Sequence, residues 1–141
     1  MWQNTFVKLL LRSPLHGLGS GGLLLITYTG HKSGRQYTVP VNYMRDDDLL
    51  RTTSFKHRTW WRSLRGGVPV LLRLRGRDVP ATATVLEDET AVAADLRLYL
   101  RRFPRLAPHF QVTLDENLEP DPAGLAAAAA KRVIVRMRLD A

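Results

Sequence analysis

Lys32, Ser33 and Arg35 crowd a short loop that carries Gly30 and Gly34 and joins one apolar run, Leu23 to Tyr28, to a second, Tyr37 to Met44. This combination can hold a phosphate. The glycines reach backbone conformations closed to other residues, so successive N–H groups can converge on an anion, while two cations supply full charge and the serine a hydroxyl donor. A second reading of the same residues is a hairpin tip whose cations face water. The chemistry of a Gly-x-x-x-Gly loop does not by itself choose between them.

Other chemistry-bearing residues are sparse. His31 and His57 flank the basic positions, and an imidazole is a side chain that can donate a proton to a reduced substrate. Trp60 and Trp61 are adjacent, so on a short helix they face different directions, and one can enter the core while the other meets a ligand. Asp46, Asp47 and Asp48 read as a solvated turn, because nothing nearby has metal-ligand spacing. His16 and His109 have no partner pattern, and the histidine spacing does not point to a metal site. No nucleophile–base arrangement or carboxylate pair is evident, so no catalytic residue is assigned.

A chain of 141 residues with 45% hydrophobic and 24% charged residues fits one domain, 1–141. A domain of this length buries about 68–70% of its unfolded surface. The chain has no cysteine, which removes disulfides, thiolate nucleophiles and thiolate metal sites and fits a reducing cytoplasm. The net charge of +8 attracts anions of many kinds. Its arginines are spread along the chain without a stacking aromatic series, so no nucleic-acid partner is expected.

The elements that must position these residues follow from periodicity. Trp2, Phe6, Leu9 and Leu10 fall at helical spacing, and Ser13-Pro14 ends the pattern before a glycine-rich connection that runs to Gly22. This helix is too short for a membrane span and lacks a secretory cleavage site; packing on its own domain is one role, peripheral membrane contact through residues 1–12 another. Strands are expected at Leu23–Thr29, Gln36–Met44 and Leu49–Thr53, with Arg45–Asp48 as a turn. Thr59–Leu64 reads as a short helix stopped by Gly66-Gly67. A hairpin follows, with Val68, Val70, Leu72 and Leu74 on one face of its first strand and Val79 to Val85 as its second. A helix spans Asp88–Phe103, Pro104 closes it, Gly124–Ala130 is a second short helix, and Arg132–Leu139 is a final strand with Val133, Val135, Met137 and Leu139 on one face and Arg132, Arg136 and Arg138 on the other. About six antiparallel strands with helical segments between the last two predict an α+β, mainly β, small closed or half-open barrel.

Two segments taken together carry a resemblance. Leu24-Leu25-Ile26-Thr27-Tyr28-Thr29-Gly30-His31-Lys32-Ser33-Gly34, with Pro40 six residues on, resembles the loop of the deazaflavin (F420)-dependent nitroreductase family, and Ser54, Lys56 and Trp60-Trp61-Arg62-Ser63-Leu64 resemble its second cofactor segment. That family belongs to the flavin and deazaflavin oxidoreductases, whose split β-barrel is shared with pyridoxamine-phosphate-oxidase-like proteins. The resemblance implies an oxidoreductase that binds F420 and transfers hydride to a small acceptor such as a quinone or a nitroaromatic. It implies that Lys32, Ser33, Gly34 and Arg35 grip the cofactor's phosphate and acidic tail, that Val39 and Pro40 line its channel, and that Ser54, Lys56 and Trp60 contact it as well. A homodimer is implied too. His31 and Tyr37 stand where the family carries arginine, and the connection from Ser54 to Trp60 is shorter, so flavin mononucleotide (FMN) is the alternative cofactor. A non-catalytic carrier of haem, another tetrapyrrole or an anionic lipid is the alternative function.

Overall fold

The computed structural model describes residues 23–140. The expected N-terminal helix and its membrane contact lie outside them. The described chain forms seven strands: β1 Leu23–Thr29, β2 Gln36–Asn42, β3 Met44–Asp46, β4 Leu49–Phe55, β5 Val68–Leu74, β6 Arg77–Leu86 and β7 Arg132–Leu139. Two α-helices, α1 Glu89–Arg102 and α2 Pro122–Lys131, and 3-10 helices at Trp60–Leu64 and Pro104–Phe110 complete it. The strand order is β2-β1-β5-β6-β7-β4-β3. The described residues divide into two compact units, one of residues 23–52, 59–85 and 135–140, the other of Thr53–Arg58 and Leu86–Ile134.

In the first unit β1 pairs antiparallel with β2 on one side and β5 on the other. A strand flanked on both sides can be apolar almost throughout, and Leu24, Leu25, Ile26 and Tyr28 are all buried. The β5–β6 hairpin alternates as its sequence requires: Val70, Leu72 and Leu74 are buried, and so are Ala81 and Ala83.

The expected single strand Gln36–Met44 is in fact two, which raises the count from about six to seven. β2 pairs with β1 and β3 pairs with β4, and these are the two ends of the strand order. Only Tyr43, itself 3% exposed, separates them. One continuous run therefore serves both edges, as a sheet curled on itself requires. Arg45 and Asp46 consequently belong to β3 rather than to a turn, and the reversal falls at Asp47, which takes a left-handed conformation at φ 53°. Asp46 pairs with Arg51 at 3.0 Å.

The second unit is built around its helices. Asp88 caps α1 by accepting the Ala91 N–H at 3.0 Å, Glu89 sits in the first turn and Arg101 and Arg102 in the last, all favourable to the helix dipole. Its buried stripe is Val92, Leu96, Tyr99 and Leu100, and Val92 meets Ala129 of α2 and Ile134 in one apolar cluster. The helix α2 is longer than the expected Gly124–Ala130, because Asp121 caps it and Pro122, with φ already set, begins it. Pro104 follows the end of α1 and opens a 3-10 turn running to Phe110. Arg132, on the strand face opposite Val133 and Val135, is 7% exposed.

Candidate functional site

The basic loop is the tip of the β1–β2 hairpin in the first unit. Its shape is held by its own backbone: Gly30 N–H donates to Arg35 O at 2.7 Å, and Gly34 N–H to Gly30 O at 2.9 Å. Gly34 sits at φ 72°, where a side chain is strained. Gly30 is required for another reason, since a Cβ there would lie 2.7 Å from Tyr37 Cε2 and 2.9 Å from Ser33 Oγ. The His31 and Arg35 amides are also engaged, donating to Ser63 Oγ at 3.1 Å and Ser33 Oγ at 3.2 Å. With those four amides spent on shaping and anchoring the tip, side chains carry most of its capacity for an anion.

Those side chains are poised for it. Lys32, Ser33 and Arg35 are all exposed. Neither Lys32 nor Arg35 has an acidic partner among the described residues. Two uncompensated cations a few residues apart make a local positive field that an oxyanion lowers.

The tip is anchored to the Trp60–Leu64 turn through Ser63, whose Oγ also lies 2.7 Å from His31 Nδ1. Beside it runs a row of aromatic rings. Tyr37 stacks on Tyr28 with centroids 5.7 Å apart and 30° between planes, and Tyr28 meets Trp60 at 6.3 Å. Ser33 Oγ and Tyr37 Oη are 3.1 Å apart, so the loop hydroxyl and the aromatic row are joined. Burial, and after it the neighbouring Tyr37, raise the Tyr28 phenol above its ordinary pKa. The tryptophan pair divides its roles: Trp61 is buried beneath the Arg62 and Arg65 guanidinium groups, at 5.7 and 4.9 Å from its ring, while Trp60 is half-buried.

Val39 and Pro40 lie on β2, opposite Ile26 and Leu25, with Val39 half-buried and Pro40 exposed. A proline in this position fits an edge strand, which β2 is in the strand order. The structure thus brings Lys32, Ser33, Gly34, Arg35 and Trp60 into one neighbourhood with Val39 and Pro40 along the adjoining strand. Ser54 and Lys56 belong to the second unit. There Ser54 is buried with its hydroxyl 3.3 Å from Phe55 O, and Lys56 donates its N–H to Lys131 O at 2.8 Å and directs Nζ to Glu89 at 3.8 Å. His57 stacks on Phe55, and His109 lies edge-on to Phe110.

Tyr28 and Ser63 fall within the two resembling segments and Tyr37 stands where the family carries arginine, but the sequence singles out none of the three as a site residue. Ser63 meets the tip only because the fold brings together positions 32 residues apart.

No protein-family model and no curated protein matches this chain. Solved structures do. A protein described as a domain-swapped dimer is 17% identical across 99% of this chain and 96% of its own, with a TM-score of 0.52. A Bacteroides thetaiotaomicron protein assigned to 5-nitroimidazole antibiotic resistance is 13% identical across 84% of this chain and 73% of its own, at 0.52. The FAD and heme binding protein of Mycobacterium smegmatis is 16% identical across 84% of this chain and 60% of its own, at 0.51. What is shared is the fold, a mainly β split barrel.

Proposed function

We propose that this chain is an oxidoreductase that binds the deazaflavin F420 and passes hydride to a small acceptor such as a quinone or a nitroaromatic. The observation that carries the reading is the pinned hairpin tip, where the uncompensated cations Lys32 and Arg35 are held beside the aromatic row of Tyr37, Tyr28 and Trp60. Its donor set fits a phosphate with an acidic tail. The loop resemblance to F420-dependent proteins supplies the cofactor's identity.

Lys32 and Arg35 hold the anionic portion by charge-assisted hydrogen bonds, and Ser33 adds a hydroxyl whose direction Tyr37 and the Arg35 amide set. Val39 and Pro40 offer apolar surface along β2, and Trp60 fixes the ring or its tail. When bound, the deazaflavin supplies the hydride chemistry itself. The protein's part is orientation and exclusion of water. A homodimer belongs to this reading, with the domain-swapped neighbour as its precedent.

FMN in place of F420 is the variant of this reading that the His31 and Tyr37 substitutions favour. A carrier of haem or a related ligand is the second reading, and the FAD and heme binding neighbour of the same fold favours it.

A parallel thermal-shift screen with F420, FMN, FAD and haem separates them, run on the wild type and Lys32→Glu. A ligand at a hundred times its dissociation constant stabilises by about 2.7 kcal/mol. F420 is expected to raise the midpoint of the wild type, and Lys32→Glu to lose about tenfold to a hundredfold in affinity, matching the roughly 1.5–3 kcal/mol of a charge-assisted bond. Stabilisation by none of the four overturns the reading. Stabilisation by haem alone, with no acceptor reduced, turns it into the carrier.

A further inference from the structure

The second unit contains a buried cation without a counter-ion. Arg132 follows α2 directly and is only 7% exposed. Its guanidinium lies between two rings, 4.6 Å from the centre of Phe55 and 4.9 Å from that of Phe110. Nη1 donates to Ala128 O at 3.2 Å, at the C-terminal end of the helix where the dipole favours a cation. Among the described residues no carboxylate pairs with it. Burial alone lowers the pKa of its guanidinium, with no acidic neighbour opposing the shift.

Withdrawing a charge from water is costly unless a partner compensates. The two cation–π contacts recover part of that cost and leave the net charge in place. What remains unused on this group is specific. With Nη1 committed to Ala128, the Nε–H and one Nη2–H stay parallel along one edge of a planar fork, a spacing that matches the two oxygens of a carboxylate. No Arg132 nitrogen is both unbonded and sealed from solvent. Phe55 beside it is 41% exposed and is braced by the His57 ring at 5.5 Å. An apolar wall thus borders a bidentate cationic fork.

We propose that Arg132 binds the carboxylate of a small ligand whose planar apolar body rests on Phe55. A monoanion suits one fork among aromatic walls better than a phosphate dianion, which is costlier to strip of water and asks for more donors. The inference concerns the second unit alone and stands whether or not the hairpin tip binds a flavin.

The test follows the Arg132 Nε–Hε resonance of the full chain by 15N NMR while benzoate, benzyl alcohol or inorganic phosphate is added. Benzoate is expected to shift it saturably, and the other two to bind at least about tenfold more weakly. Arg132→Lys, which keeps the charge but loses the fork, is expected to weaken benzoate by about tenfold. Phe55→Leu, which leaves the fork intact, weakens it severalfold, and this variant with the wild-type titration suffices if Arg132→Lys does not fold. An unmoved resonance under benzoate overturns the proposal. So does equal binding of benzyl alcohol, tighter binding of phosphate, or full benzoate affinity in either variant.

Discussion

Ser63 accepts the backbone N–H of His31 at 3.1 Å, and its hydroxyl lies 2.7 Å from Nδ1 of the same residue. One serine thereby ties the tip of the first hairpin to the turn that carries Trp60. The hairpin tip that carries Lys32 and Arg35 is therefore fastened to the element that supplies the tryptophan of the aromatic row.

Ser63→Ala removes both contacts at once. Exposed hydrogen bonds contribute modestly, so the expected loss of stability is about 0.5–1 kcal/mol in a urea titration. The larger expected effect is on F420, with affinity falling about threefold to tenfold by fluorescence quenching as the tip loses its orientation. Wild-type affinity in this variant would show that the tip needs no anchor.

The two tip cations act on an anion through an exposed field, which salt screens over about 8 Å at physiological ionic strength. F420 affinity is expected to fall as salt rises. In the double variant Lys32→Gln with Arg35→Gln that dependence flattens, because the charges producing it are gone. An unchanged salt slope would move the anion contact elsewhere.

Gly30 and Gly34 respond differently to alanine. At Gly34 the added methyl meets nothing within 4 Å, so the cost is the backbone strain of φ 72°, about 1–2 kcal/mol of stability. At Gly30 the methyl drives into the Tyr37 ring, and Tyr37, 43% exposed, swings off Tyr28 to relieve it. Gly30→Ala is therefore expected to cost more in cofactor affinity than Gly34→Ala for an equal loss of stability. Crystal structures of the two variants check the displaced ring.

The raised Tyr28 phenol has a consequence at high pH. In the unfolded chain this group deprotonates near its ordinary value of 10.0, while in the folded chain burial and the nearby Tyr37 keep the proton on. Above that value the unfolded state binds fewer protons, so stability is fully present below about pH 10 and declines as pH rises through the folded value. Urea midpoints collected from about pH 9 upward are expected to fall more steeply in the wild type than in Tyr28→Phe, which lacks the proton. Parallel curves would remove Tyr28 as the source.

Much of the molecule follows from local sequence. The alternation of Val70, Leu72 and Leu74 with exposed neighbours, the glycines of the first hairpin, the acidic cap of α1 and the Trp60–Leu64 turn each depend on residues within one element, and local pattern suffices to find them. The tip's cations were legible for the same reason, as was the division of the tryptophans between core and surface.

Other features are settled at a distance. A periodicity of two continues through Tyr43 without a break, and only the competing demands of β1 and β4 for the same run divide it into β2 and β3. Arg132 alternates correctly for an exposed strand position, and its burial comes from Phe55 and Phe110, which lie far from it in the chain. Ser63 is an ordinary helix-turn serine until the fold sets His31 against it. The amino-acid sequence by itself determined the strand and helix segments and the cationic tip, because these rest on interactions between near neighbours. The tertiary structure alone decided which strand edges the run around Tyr43 serves, which arginine lost its water and what the tip is fastened to, because each requires residues distant along the chain to share one place.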